Sequence, residues 1–398
     1  MPERPRLPTL DDLDVSGRRV IVRCDLNVPL DDGRVADETR IRASVPTLAA
    51  LLERGARVAV CSHLGRPKGR VVDELRMTPV GRRLGELLER PVVALDEVVG
   101  AKAKEACDSD ADVVLLENLR FEAGEEDDDP HFADALASLG DAYVNDAFGA
   151  SHRAHASIVG LPQRLPSAAG RLLVDEVERL ERLLHDPEHP FVAVLGGAKV
   201  SDKLGVVGNL LERVDALVVG GAMAFTLLAA QGRDVGRSRV ERDRLEEVAR
   251  VLERAQGAGV DVLLPDDVVA ADAPERGAAH EIAALDDIGD RLGVDVGPAS
   301  ARRFAARIRT ARTVLWNGPM GIFEIDEFAA GTLAIAEAVF EATESGAYTV
   351  VGGGDSVAAL NQFGFTKAAS HVSTGGGASL ELLEGRDLPG VAALRAGR

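Results

Sequence analysis

The sequence predicts an α/β protein of two domains with mostly parallel sheets, joined by a helix, with a cleft between them. Three observations carry that prediction. Short β-branched runs alternate with helical patterns along the whole chain, the signature of parallel strands covered by helices on both faces. At 398 residues the chain exceeds what one hydrophobic core ordinarily serves. An amphipathic stretch near the middle, closed by prolines, separates two such alternating halves.

In the first half, RVIVRCDL (19–26), RVAVCSHL (57–64), DVVLLENLRF (112–121) and DAYVNDAFG (141–149) read as buried strands. TRIRASVPTLAALLERG (39–55) reads as the helix after the first of them. The stretch LLVDEVERLERLL (172–184) puts Leu173, Val177, Leu180 and Leu184 on one helical face, and Pro187 and Pro190 end it. It is the candidate joining helix. In the second half, PFVAVLGGAKV (190–200), DALVVGG (215–221), DVLLPDD (261–267), TVLWNGPMG (313–321) and YTVVGGGD (348–355) read as strands. FAAGTLAIAEAVFEATESG (328–346) reads as a helix, and no short-period repeat or low-complexity tract is present.

The composition, 46% hydrophobic and 28% charged, is that of a soluble globular chain. No apolar run reaches the length of a membrane span, and the first residues carry no apolar leader core. Cys24, Cys61 and Cys107 are widely spaced and odd in number, so a reducing cytoplasm is expected. A formal net charge of −19 argues against nucleic acid and anionic lipid as partners. Acidic runs such as Glu125–Asp129 are expected in solvated loops. Only six basic residues are lysine, Lys68, Lys102, Lys104, Lys199, Lys203 and Lys367. A salt-adapted (halophilic) cytoplasm and a GC-rich genome are two readings of that bias.

In open α/β sheets, ligands gather beyond the C-terminal ends of strands. The unusual clusters of this chain fall there. Asp25 and Asn27 close the first strand in CDLNVPL, and Arg40 opens the next helix. The second strand runs into HLGRPKGR, carrying His63, Arg66 and Lys68, the third ends in ENLRF, with Arg120, and the fourth leads to AFGASHRAHAS, with Arg153. Arginine's planar fork of donors suits carboxylate and phosphate, so these residues converging would make a site for a small polyanion. Any single arginine is more simply a solvated surface residue. His152 and His155 form an HxxH pair without an apparent Cys or Glu partner, and no metal is expected there.

In the second half, Lys199 and Lys203 stand at a strand-to-helix turn lacking the P-loop spacing. Cations at a helix start oppose its dipole, which favours a phosphate-binding role over a solvated one. Glu324, in WNGPMGIFE, either accepts from ribose hydroxyls or caps the following helix. GGGDS (352–356) pairs glycines with a helix start and adds Asp355, a candidate hard-cation ligand. STGGGASLELLEG (373–385) repeats that pattern, and bare glycine N–H groups before a helix suit an anion.

Taken in order, DLNVP, HLGRP, LLENLRF, SHRAHAS, LGGAKVSDK, WNGPMGIFE, GGGDS and STGGGASLELLEG resemble phosphoglycerate kinase over about residues 20–385. Leu26 stands where the family commonly has Phe, and Ser356 where it often has Thr. The resemblance implies two Rossmann-like domains: residues 1–170 binding phosphoglycerate, with 380–398 folding back onto them; 171–186 as the interdomain helix; and 187–379 binding nucleotide. It implies phosphoryl transfer between 1,3-bisphosphoglycerate and ADP, with small-molecule partners only and a monomeric state. It assigns Asp25, Asn27, Arg40, His63, Leu64, Gly65, Arg66, Arg120 and Arg153 to phosphoglycerate. Lys203, Gly293, Glu324, Gly353, Gly354, Asp355 and Ser356 go to Mg²⁺-nucleotide, with Asp355 beside the metal. Arg40, Lys199, Gly353 and Gly376 would attend the moving phosphoryl group.

The chemistry stands without the name. A carboxylate nucleophile is already ionised at neutral pH, so no general base is required. Positioning and charge stabilisation then carry catalysis. A nicotinamide dehydrogenase is disfavoured because no GxGxxG follows the first strand. A catalytically silent nucleotide sensor would have lost some of the transfer residues, all of which are present.

Overall fold

A computed structural model describes residues 6–365, 367 and 369–397. The chain divides into two compact units, one comprising Met1–Glu178 with Asp387–Arg398 and the other Arg179–Arg386.

The first unit is built on six strands: β1 (Arg19–Arg23), β2 (Arg57–Cys61), β3 (Val92–Ala94), β4 (Val113–Leu115), β5 (Ala142–Asn145) and β6 (Ser167–Ala169). They lie in the order β3-β4-β2-β1-β5-β6, and every pairing is parallel. β1, β2, β4 and β5 are buried almost throughout, as central strands with helices on both faces must be. Because the chain leaves β1 toward β2 on one side and returns to β5 on the other, the strand order reverses at β1. The predicted strands extended past these limits because their last residues belong to the loops that carry the functional groups.

Helix α1 (Thr39–Glu53) follows β1, and helix α2 (Arg171–His185) begins in the first unit and ends in the second. The predicted apolar face of α2 is buried at Leu173, Val177, Leu180 and Leu184. The helix Pro389–Ala396 packs in the first unit, where the Gly390 N–H donates to the Ser151 carbonyl at 2.9 Å.

The second unit repeats the plan with β7 (Phe191–Leu195), β8 (Ala216–Val219) and β9 (Asp261–Leu263). A further three strands, β10 (Asp267–Ala271), β11 (His280–Ala284) and β12 (Leu292–Val296), form a separate antiparallel sheet in the order β11-β10-β12. β13 (Thr313–Asn317), β14 (Tyr348–Gly352) and β15 (His371–Val372) complete the main sheet, β9-β8-β7-β13-β14-β15, again all parallel. Its order reverses between β7 and β13. The predicted strand DVLLPDD (261–267) is really β9, a turn, and the first residue of β10.

One acidic run departs from expectation. Glu125 is completely buried in the short helix Ala123–Glu126, and the Asp129 carboxylate caps the helix Pro130–Ala137 by accepting from the Phe132 N–H at 2.9 Å. Only part of Glu125–Asp129 is a solvated surface.

Candidate functional site

In the first unit the parallel sheet places the C-terminal ends of β1, β2, β4 and β5 along one edge, and the predicted residues collect there. Arg40, at the start of α1, donates to the buried Asp25 carboxylate at 2.8 Å. Asn27 accepts from the Gly65 N–H at 2.9 Å, fixing the turn after β2. Asn118 accepts from the Leu64 N–H at 3.1 Å and donates to the Leu64 carbonyl at 2.8 Å. Arg120 donates to the Gly65 carbonyl at 2.8 Å, and Arg66 lies close enough to act on its charge. Arg66 and Arg153 are exposed, with guanidinium groups available to a ligand.

Beneath these groups sits His63, almost wholly buried. Burial, then the guanidinium groups of Arg23, Arg120 and Arg40, hold its imidazole well below the usual range, so the ring is neutral at physiological pH. Burial and the charges of Arg120, Arg23 and Arg153 likewise push His155 down to about 4. Five guanidinium groups thus act on one small region. Such a concentration of positive charge, in a chain of net charge −19, suits a small polyanion.

Sequence reading missed Arg23, Ser157 and Glu125, which lie directly behind His63. Arg23 closes β1 and is 1% exposed. It also left His155 without a carboxylate neighbour, whereas Glu125 stands 3.8 Å from its Nδ1. The available signal was an arginine ending a strand too apolar to be exposed, RVIVR.

In the second unit the predicted groups follow β7, β13 and β14, at the reversal of strand order. Lys203 precedes the helix Leu204–Leu210, and its ammonium lies over Gly197. Burial lowers its pKa, while Asp202 and Asp355 act the other way, so Lys203 and Asp355 share one neighbourhood. Lys199 is exposed in the same turn.

Gly353 adopts φ +89° and starts the helix Gly354–Gln362, a backbone conformation that disfavours any side chain. Asp355 is exposed in its first turn. Ser356 is different: its hydroxyl is fully buried and accepts from the Gly318 N–H at 2.6 Å, tying the turn after β14 to the turn after β13. Beside Gly353, the Asn317 Nδ2 is buried with no hydrogen-bond partner. An orphaned donor there fits an oxyanion ligand.

Glu324 is exposed, and the helices after it, Asp326–Phe328 and Ala330–Glu344, have Ile325 and Ala329 at their N-cap positions, so it is not a cap. Gly293 lies in β12, where a side-chain carbon would stand 2.0 Å from the Phe225 ring; close packing accounts for this glycine. Gly376 precedes the seven-residue helix Gly377–Leu383, and the space a side chain would take there is open to 4 Å.

Two parallel α/β units, one gathering guanidinium groups and the other glycine turns, lysines and an exposed aspartate at its strand ends, define a small-molecule phosphotransferase. The phosphoglycerate kinase family signature matches residues 10–386. The chain is 54% identical over 389 residues to the phosphoglycerate kinase of Thermomicrobium roseum, covering 97% of this chain and 98% of that one. It is 52% identical over 390 residues to that of Herpetosiphon aurantiacus, with the same coverage. The phosphoglycerate kinase structure from Coxiella burnetii superposes with a TM-score of 0.88 at 39% identity, over 98% of this chain and 99% of that one. The Pyrococcus horikoshii structure gives 0.85 at 33% identity, over 98% of each. The chain belongs to the phosphoglycerate kinase family.

Proposed function

We propose how this chain divides the work of its family's reaction, the reversible phosphoryl transfer between 1,3-bisphosphoglycerate and ADP that gives 3-phosphoglycerate and ATP in glycolysis and gluconeogenesis. The first unit holds the acid phosphate and the second holds the nucleotide. The observation that supports this most is the convergence of Arg23, Arg40, Arg66, Arg120 and Arg153 on the strand ends around a neutral, buried His63.

Arg66, Arg120 and Arg153 offer planar donors to phosphate oxygens, while Asn27 fixes the turn that carries Gly65 and Asp25 holds the Arg40 guanidinium. In the second unit Lys203 and the backbone at Gly353 and Gly354 take the nucleotide phosphates, Glu324 the ribose, and Gly293 shapes the wall beside Phe225. Ser356 holds the turn rather than the ligand. Arg40, Lys199 and the amides at Gly353 and Gly376 serve the phosphoryl group in transfer, where charge develops on its equatorial oxygens.

Magnesium bound with the nucleotide supplies charge neutralisation at the phosphates. Asp355, exposed in the first turn of its helix, is the residue that would hold that cation beside the nucleotide. No described helix is long and apolar enough to cross a membrane. A cytoplasmic monomer acting on small molecules accords with the acidic charge and the three unpaired cysteines.

A coupled assay with 3-phosphoglycerate, ATP and Mg²⁺ tests the reading. Turnover requires all three, and Lys199→Ala lowers kcat by roughly 10²–10³ with both KM values little changed. Wild-type turnover in that variant removes Lys199 from the transition state.

A further inference from the structure

We infer that Arg23, Ser157 and Glu125 form a buried relay that fixes His63 as its Nε2–H tautomer and presents that N–H to the acid phosphate. The presentation to ligand rests on the placement of phosphoglycerate in the first unit; the tautomer does not.

The directions of the hydrogen bonds leave one solution. The Glu125 carboxylate accepts from the Ser157 hydroxyl at 2.6 Å and from the Ser157 N–H at 3.0 Å. Having given its hydrogen to Glu125, the Ser157 oxygen is free to accept from Arg23 Nε at 2.9 Å. The Arg23 Nη1 donates to the Cys24 carbonyl. Its Nη2 lies 3.1 Å from His63 Nδ1. A guanidinium has five donors and no lone pair, so Nδ1 must accept. The single hydrogen of the neutral ring then resides on Nε2.

The same contacts explain why a charge is tolerated in the interior. Arg23, Ser157 and Glu125 are all essentially inaccessible, and Glu125 stands 4.0 Å from Arg23 as its counter-charge. The Tyr143 hydroxyl donates to the Ser157 carbonyl at 2.7 Å, so the serine is held from both ends. A cationic His63 would face Arg23 across 3.1 Å, with Arg120, Arg40 and His155 also bearing on the ring. Although burial raises the pKa of the Glu125 carboxyl, Arg23 and Ser157 act to keep it ionised. The relay therefore excludes the charged ring as well as the other tautomer. The three residues are positioning residues, acting on ligand only through His63. Their consequence is a hydrogen-bond donor whose state does not change with pH across the physiological range.

Nitrogen-15 NMR of the histidine rings in the whole, ligand-free chain tests this, with His63→Gln identifying the signal. The expected result is a single Nε2–H tautomer that does not titrate between pH 5.5 and 8. An Nδ1–H ring, or one titrating near the ordinary histidine value, overturns the relay. Ser157→Ala should then release the ring into mixed tautomers and raise the KM for 3-phosphoglycerate about 3–10-fold while leaving that for MgATP unchanged. A wild-type ring in Ser157→Ala overturns the relay, and a changed ring with an unchanged KM overturns its presentation to substrate. Titrating 3-phosphoglycerate into the wild-type protein separates the two ideas, because a His63 signal that ignores the ligand contradicts the placement of substrate and not the tautomer.

Discussion

At the scale of single residues, the groups that decide most are buried charges, and the sequence showed their type but not their burial. Asp295, in β12, accepts from the Gly331 N–H at 2.7 Å and the Val296 N–H at 2.9 Å. Burial nevertheless pushes its carboxyl up to about 7, from an ordinary value of 3.8. A carboxyl whose folded pKa is raised stabilises the protein fully below about pH 3.8, and that contribution is lost as pH rises toward 7. Asp295→Asn lacks the titration. Its stability relative to wild type should therefore improve by about 2–3 kcal/mol between pH 5 and pH 8, measured by urea unfolding at the two values. A difference that stays constant across that range contradicts the raised pKa. Residues such as Asp25, Arg40, His63 and Asp355 were legible because they follow strands, where polar side chains have few structural reasons to be. Arg23 and Glu125 were not, because one looked like part of a strand and the other like part of an acidic surface run.

At the scale of elements, the start of α2 shows how a helix is specified from a distance. The Asp146 carboxylate accepts from the Thr47 hydroxyl at 2.9 Å and from the Leu172 N–H at 3.0 Å. Thr47 in turn accepts from the Arg171 N–H at 2.9 Å. Two of the helix's otherwise unpaired N–H groups are thus satisfied by residues from α1 and from the end of β5. Thr47→Val keeps the shape and removes both bonds. It should lower the protection of the first α2 amides against hydrogen exchange by about 1–3 kcal/mol, with Thr47→Ser restoring it. Unaltered exchange would show that the helix start does not depend on Thr47. The amphipathic run of α2 was readable from its period, but its cap was not, since the partners lie far away in sequence. The antiparallel sheet β10–β12 was missed for a different reason. DVVAA, HEIAA and LGVDV contain alanine and glycine where strands usually carry bulkier residues, so their pairing comes from tertiary context.

At the scale of the whole molecule, the same arrangement occurs twice. Each unit has an all-parallel six-stranded sheet whose order reverses near its first strand, and the candidate site residues of each follow strands at that reversal. The parallel pairing was foreshadowed by alternating strands and helices, and it puts the C-terminal strand ends on one edge, whereas the short strands β3, β6 and β15 and the strand order were not read from the sequence. Duplication of the plan with different chemistry, arginines in one unit and lysines with glycine turns in the other, implies that the two ligands can be lost independently. Calorimetric titration of 3-phosphoglycerate and of MgADP, each into wild type, Arg153→Ala and Lys203→Ala, measures that independence. Arg153→Ala should weaken 3-phosphoglycerate binding by about 1.5–3 kcal/mol and spare MgADP, with Lys203→Ala doing the reverse. Loss of both ligands in either variant, or the opposite pairing, would contradict the assignment of acid phosphate to the first unit and nucleotide to the second.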